Sequence, residues 1–105
     1  PGIHVLTRLH TISKSWNQAS WLYESLAFAK AGDAILLLGD AVQCVDAPVT
    51  LASFVAKCGA QGVVVYALQS DLKLRGVGAP LVGIDVVDDA GFVDLVVKHQ
   101  KQIAW

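Results

Sequence analysis

Cysteine is scarce in this chain, and its two cysteines form neither a C-x-x-C pair nor the dense pattern of a disulfide-bonded domain. Only Cys44 and Cys58 occur among 105 residues, and they are too far apart for a C-x-x-C motif. Small secreted domains held together by disulfides are far denser in cysteine. No basic segment followed by an apolar one marks a secretory signal. We therefore expect two free thiols and a cytoplasmic protein.

Charge of either sign is also sparse. Charged residues make up 16% of the chain, and 8 Lys and Arg against 9 Asp and Glu leave a formal charge of -1. Binding to phosphate backbones needs clustered Lys and Arg, so we expect no direct contact with nucleic acid. The apolar runs Ala34–Leu38 and Gly62–Val65 are far shorter than the ~20 residues that span a bilayer, so no membrane association is expected.

Apolar residues, in contrast, are abundant. They make up 54% of the chain, which is more than a single domain of this length usually needs to fill its core. We expect some of this surface to face other subunits, and the chain to self-associate where those partners are missing. Large aromatic side chains with a polar edge are common interface anchors. Trp16, Trp21 and Trp105 are the interface candidates, with simple core packing as the alternative.

The spacing of the apolar residues predicts the fold class. Short β-branched runs alternate with segments in which apolar residues recur every three or four positions, which is typical of βαβ units. We predict one α/β domain, with a five-stranded parallel sheet flanked by helices in flavodoxin-like layers and the strand order left open. The predicted strands lie within 3–12 and at 34–39, 63–68, 81–87 and 102–105. The first helix is predicted to follow the polar turn that ends at Ser15, to carry an apolar stripe over 21–29 and to end at Ala31-Gly32-Asp33. The other predicted helices are 50–57, with its stop at Cys58-Gly59, then 72–75 and 90–99, the last two capped by Ser70-Asp71 and Asp88-Asp89.

Several short motifs follow one another in a characteristic order. They are Leu9-His10-Thr11, Leu36 to Val42, Tyr66-Ala67-Leu68 with Asp71-Leu72, Asp89 to Leu95, and the closing Gln102-Ile103-Ala104-Trp105. In this order and spacing the chain resembles the TusB/DsrH family from Leu9 to the last residue, and it is more similar to TusB. Residues 1–8 are interpreted as an N-terminal extension and residues 9–105 as the TusB/DsrH-like domain.

The resemblance carries its own expectations. It implies a DsrE-like fold and a hetero-oligomer with TusC-like and TusD-like chains, or with DsrE- and DsrF-like ones, in which sulfur travels as a cysteine persulfide. It also implies a role in 2-thiolation of the tRNA wobble uridine, with a TusE-like acceptor downstream. The related Dsr system of sulfur oxidation is the alternative pathway.

A persulfide carrier needs an exposed cysteine whose pKa is lowered. Cys44 follows a predicted strand, on the carboxyl side of the sheet where active groups collect. Asp40 and Asp46 lie near it in sequence, however, and their negative charge disfavours a thiolate. Cys58 falls at the end of a predicted helix, where the dipole disfavours a thiolate. Some DsrH-like members carry a cysteine about where Ser25 stands here. We therefore expect a subunit that does not itself carry sulfur; the alternative is an autonomous carrier that uses Cys44.

Two further features have a functional and a structural interpretation. Histidine as a residue type suits acid–base chemistry, which makes His10 and His99 candidates, but each also fits an ordinary place at a strand or a helix end. The polar turn Thr11–Ser15 precedes a helix, as anion-binding loops do, but it lacks the glycines of a nucleotide-binding loop. A phosphate-binding module is thus a third hypothesis beside ordinary capping. The histidines have no metal-ligand spacing, and no cofactor is expected.

Overall fold

The computed structural model describes residues 6–27, 29–44, 49–78, 80 and 82–105, apart from the side chains of residues 44, 49 and 50. The strands are β1 (Arg8–Ile12), β2 (Ala34–Leu37), β3 (Val64–Leu68), β4 (Ile84–Val87) and β5 (Lys101–Ala104). The helices are α1 (Trp16–Leu26), α2 (Val49–Ala60), α3 (Gln69–Leu74) and α4 (Asp89–Lys98), with a 3₁₀ helix at Gly39–Cys44. No helix in these ranges is long and apolar enough to cross a membrane.

The five strands form one parallel sheet in the order β4-β3-β2-β1-β5. This confirms the predicted α/β class. The chain steps in one direction from β1 to β4 and then returns to place β5 on the far side of β1. Because such crossovers are right-handed, α1, α2 and α3 lie on one face of the sheet and α4 on the other. In flavodoxin-type sheets β1 lies between β2 and β3, whereas here β1 lies between β2 and β5.

Each face of the sheet has its own hydrophobic cluster. α1, α2 and α3 cover the first, which includes Leu22, Phe54 and Leu72. Among the described helices only α4 contributes to the second, through Leu95 and Phe92. β2 is buried on both sides, which explains why it is apolar at every position.

The two predicted caps have different outcomes. Asp88 caps α4 as predicted, since its carboxylate accepts the Gly91 N–H at 2.8 Å. The cap predicted at Ser70-Asp71 is wrong, because α3 begins directly after β3 and its N-cap residue is Leu68. Asp71 instead accepts the N–H of Gly39 at 2.8 Å and so joins α3 to the 3₁₀ helix.

Helix α1 begins directly after the predicted turn but ends at Leu26, before the predicted end at Ala31-Gly32-Asp33, and α2 is longer than predicted. α1 begins at Trp16, because the Gln18 side chain accepts the Ser15 N–H at 2.9 Å and closes the first turn. α2 runs past the predicted stop at Cys58-Gly59 and ends at Ala60. The chain turns at Gly62, whose φ of 76° lies in the left-handed region that favours glycine.

Candidate functional site

Cys58 is unsuited to carrying sulfur. It lies on α2, is fully buried at 0% exposure, and has no disulfide partner. Burial raises the pKa of its thiol from 9.0 to about 11, because an apolar interior disfavours the charged thiolate. At neutral pH this sulfur is therefore a protonated, inaccessible packing group.

Cys44 occupies a different place. Its backbone ends the 3₁₀ helix that follows β2, at the carboxyl edge of the sheet where sites of open α/β folds collect. Its side chain lies outside the described residues, so the interpretation of Cys44 as a sulfur carrier stays a prediction.

A cation beside the 3₁₀ helix is already paired with carboxylates. Arg75, which follows α3, lies 3.2 Å from a carboxylate oxygen of Asp40 and 3.8 Å from one of Asp71. Asp71 also accepts the Gly39 N–H, so the three charged groups tie α3 to the 3₁₀ helix. With two carboxylates against one guanidinium, the region offers little positive field to stabilise a thiolate.

His10 belongs to a buried hydrogen-bonded network. The Trp105 Nε1–H donates to His10 Nδ1 at 3.3 Å, so the ring proton is assigned to Nε2, which lies 3.3 Å from Asp33 Oδ2. Asp33 also accepts the N–H groups of Arg8, at 2.9 Å, and Lys30, at 3.3 Å. His10 and Asp33 are only 6% and 3% exposed. The network thus connects β1, through His10, to the residue before β2 and to the residue after β5.

The His10 network is structural rather than nucleophilic. The third group in it is the indole of Trp105, a donor that cannot be activated as a nucleophile. The nearby hydroxyl of Ser13 donates to the Trp105 carbonyl oxygen at 3.4 Å. Among the described residues, then, the His10–Asp33 pair has no hydroxyl or thiol as a hydrogen-bonded third member of a catalytic triad.

His99 has a structural place as well. It is 3% exposed, and its Nδ1 lies 2.9 Å from the Thr7 hydroxyl. Burial first, and then the positive charge of Lys98, lower the pKa of His99 below its ordinary value. A histidine that stays neutral and hydrogen-bonded suits packing between α4 and β5. The described part of the chain contains no cluster of three or more His, Cys, Asp or Glu side chains that could hold a metal ion.

The polar turn before α1 behaves as a cap. The Ser15 hydroxyl lies 3.2 Å from Gln18 Oε1, and Ser15 is largely buried. The Lys14 carbonyl accepts the Tyr23 hydroxyl at 2.7 Å. These groups are occupied within the chain, which favours ordinary capping over anion binding.

The three tryptophans have different surroundings. Trp16 packs against the core with its ring 5.1 Å from that of Tyr23, Trp21 is 61% exposed, and Trp105 is 38% exposed. Their proposed interface role stays a prediction. Trp16 also borders a groove of about 210 Å³ between α1 and α2, whose other lining residues are Tyr23, Glu24, Ala27, Ser53, Phe54 and Lys57.

Sequence reasoning missed an exposed apolar face on α4. Val93, Val96 and Val97 are 58%, 37% and 80% exposed, although Leu95 on the same helix is buried against the sheet. The available signal was that apolar residues lie on more than one side of this helix.

Comparison with known proteins identifies relatives along nearly the whole chain. The family described as DsrH like protein matches residues 14–102. A protein named Protein TusB from Photorhabdus laumondii is 34% identical over 98 residues, and one of the same name from Cronobacter sakazakii is 35% identical over 98. Each alignment covers 92% of this chain and 99% of the relative.

Solved structures share the fold at low sequence identity. The Methanobacterium thermoautotrophicum protein MTH1491, of unknown function, superposes with a TM-score of 0.72 at 15% identity, covering 97% of this chain and 100% of that one. The ychN protein from E. coli superposes with a TM-score of 0.65 at 13% identity, covering 95% and 98%.

The fold places the chain in a class of small parallel α/β proteins with the DsrE-like arrangement. Within the described residues it shows one buried thiol, at Cys58, and two buried, hydrogen-bonded histidines, His10 and His99. Given the match over residues 14–102 and the TusB relatives, the chain belongs to the DsrH-like family.

Proposed function

We propose that this chain is a non-catalytic subunit of a cytoplasmic sulfur-relay complex. Its kinship with proteins named TusB supports membership of such a complex. The observation that carries the non-catalytic part is the state of Cys58, fully buried with a pKa of about 11. A relay step needs a thiolate that attacks a donor persulfide, takes its outer sulfur and releases the donor thiolate. Cys58 cannot perform that attack in the folded chain.

The partners follow from the same kinship. We assign to this chain TusC-like and TusD-like subunits, or DsrE- and DsrF-like ones, with the active cysteine on one of them and a TusE-like acceptor beyond. The TusB relatives favour 2-thiolation of the tRNA wobble uridine over sulfur oxidation as the pathway. The near-neutral charge of the chain supports a role without direct tRNA contact.

The alternative is that Cys44 carries sulfur itself. The place of its backbone at the carboxyl edge of the sheet favours this. The pairing of Arg75 with Asp40 and Asp71 argues against it, because the guanidinium charge is largely neutralised.

Affinity purification from the native cytoplasm tests the proposal. The tagged full chain is isolated without reductant, and mass spectrometry identifies the co-purifying chains and any sulfur added to Cys44. We expect two small DsrE-like chains, and a persulfide on one of them with Cys44 unmodified. A sulfur adduct on Cys44 without such partners contradicts the proposal and supports an autonomous carrier.

A matched pair of variants strengthens the same experiment. Cys44→Ser removes the thiol, and Gln43→Ser makes a similar change at the adjacent exposed position. If Cys44 carries no sulfur, both variants recover the same partners with the same persulfide on the partner chain. Loss of the partner's persulfide in Cys44→Ser alone contradicts a purely structural role.

A further inference from the structure

The outward face of α4 is apolar, and no residue in the described part of the chain covers it. Ala90, Val93 and Val97 follow the spacing i, i+3, i+7, which sets them in one stripe on a helix, and Val96 borders that stripe. Val93 and Val97 are 58% and 80% exposed. Single exposed apolar residues are ordinary, but three exposed valines on a ten-residue helix form a patch of the kind that marks an interaction surface.

Charges are distributed unevenly around this stripe. Asp88 and Asp89 lie at the start of α4, whereas Lys98 ends it and Lys101 begins β5. Asp94 and Lys98 stand one helical turn apart beside the valines. They form no ion pair within 4.0 Å in the described part of the chain. The face is therefore acidic at one end, basic at the other, and apolar between.

We propose that this α4 face, formed by Ala90, Val93, Val96 and Val97, binds a second copy of the chain, with the two α4 helices antiparallel about a two-fold axis. A two-fold interface uses the same surface on both subunits, so the surface must be complementary to itself. The antiparallel arrangement meets this condition because it brings the acidic end of each helix to the basic end of the other. A parallel arrangement sets like charges together.

The dimensions of α4 predict the strength of the contact. Alanine and valine are small enough for helix axes to approach to about 8–10 Å. Ten residues make a helix of only about 15 Å, so the helix pair buries less than the ~1,200 Å² of a standard stable interface. The dimer is weak and depends on concentration. This inference concerns the isolated chain and does not rest on the proposed function.

Analytical ultracentrifugation of the purified chain over a concentration series tests the proposal, with Val97→Asp as the perturbation. We expect wild type to shift from monomer to dimer, and Val97→Asp to raise the dissociation constant at least about tenfold, because it places an unpaired charge in the contact. Leu74→Asp is the matched control, since Leu74 is 79% exposed on α3. Circular dichroism checks that both variants fold.

Charge exchange tests the antiparallel geometry separately. Asp94→Lys makes both charged residues beside the valines, at positions 94 and 98, basic, and Lys98→Glu makes both acidic. We expect each variant alone to dimerise more weakly than wild type, and an equimolar mixture to dimerise more strongly than either.

Three results would overturn the inference. They are a wild type that stays monomeric at the highest concentration reached, equal effects of Val97→Asp and Leu74→Asp, and a mixture of the charge variants that associates no better than its components.

Discussion

Replacing Asp33 by alanine tests whether the buried network around His10 holds the sheet together. The Asp33 carboxylate is 3% exposed and accepts hydrogen bonds from the Arg8 N–H, the Lys30 N–H and the ring of His10. These donors lie on β1 and in the turn that leads into β2. Asp33→Ala removes all three bonds without changing any strand residue.

The cost of this substitution follows from the groups left without a partner. Lys30 is exposed, so its N–H can bond to water. The Nε2–H of His10 is buried, and an unsatisfied buried donor costs about 1–3 kcal/mol. The Arg8 N–H is only part-buried and adds at most a similar amount. The expected loss in the free energy of unfolding is therefore about 1–6 kcal/mol, against the ~5–15 kcal/mol that stabilises a typical domain.

Urea denaturation followed by tryptophan fluorescence measures this loss. Trp105 donates to His10, so its emission reports on the network. Asp85→Ala is the matched control, because Asp85 is an exposed carboxylate on β4. The reasoning is refuted if Asp33→Ala and Asp85→Ala both change the free energy of unfolding by less than about 0.5 kcal/mol, the usual range for surface substitutions.

Four further predictions concern Trp105, Cys58 and His99. Trp105→Phe keeps a ring but loses the N–H that donates to His10, so we expect a loss of about 0.5–1.5 kcal/mol in urea denaturation; no loss would show that this bond contributes nothing. Cys58 should resist thiol reagents in the native state and react after unfolding, as followed by mass spectrometry, and rapid native labelling would contradict its burial. Because the pKa of Cys58 is raised from 9.0 to about 11, the contribution of its protonated thiol to stability should be fully present below pH 9.0 and decline towards pH 11. In Cys58→Ala this decline should be smaller. Because the pKa of His99 is lowered from 6.5, its contribution to stability should be fully present above pH 6.5 and be lost as pH falls through the lowered pKa of the folded state. An NMR titration that gives an ordinary or raised pKa for His99 would contradict this prediction.

Local rules explain which parts of the fold were predictable from sequence. β2 was recognisable because a strand buried on both faces is apolar throughout, and Asp88 because a cap depends on its immediate neighbours. The start of α1 was recognisable as well, because the predicted polar turn ends at Ser15, which forms a capping box with Gln18.

Tertiary contacts explain the errors and the omissions. Asp71 was expected to cap α3, but its carboxylate binds the Gly39 N–H, 32 residues away in sequence. The network of His10, Asp33 and Trp105 depends on contacts across 23 and 95 residues. These contacts form only when particular strands are neighbours in the sheet, and the strand order could not be predicted from the sequence. The exposed side of α4 became visible only when the structure showed which side packs on the sheet.

The content of 2-thiouridine in tRNA tests the central claim most directly. A strain that lacks this chain is complemented with wild type or with Cys44→Ser, and its tRNA is digested and analysed by mass spectrometry. The account predicts that 2-thiouridine is lost without the chain and restored equally by both versions, because the sulfur passes through a cysteine on a partner. If Cys44→Ser assembles with the partners but fails to restore 2-thiouridine, this chain carries sulfur itself and the account is contradicted.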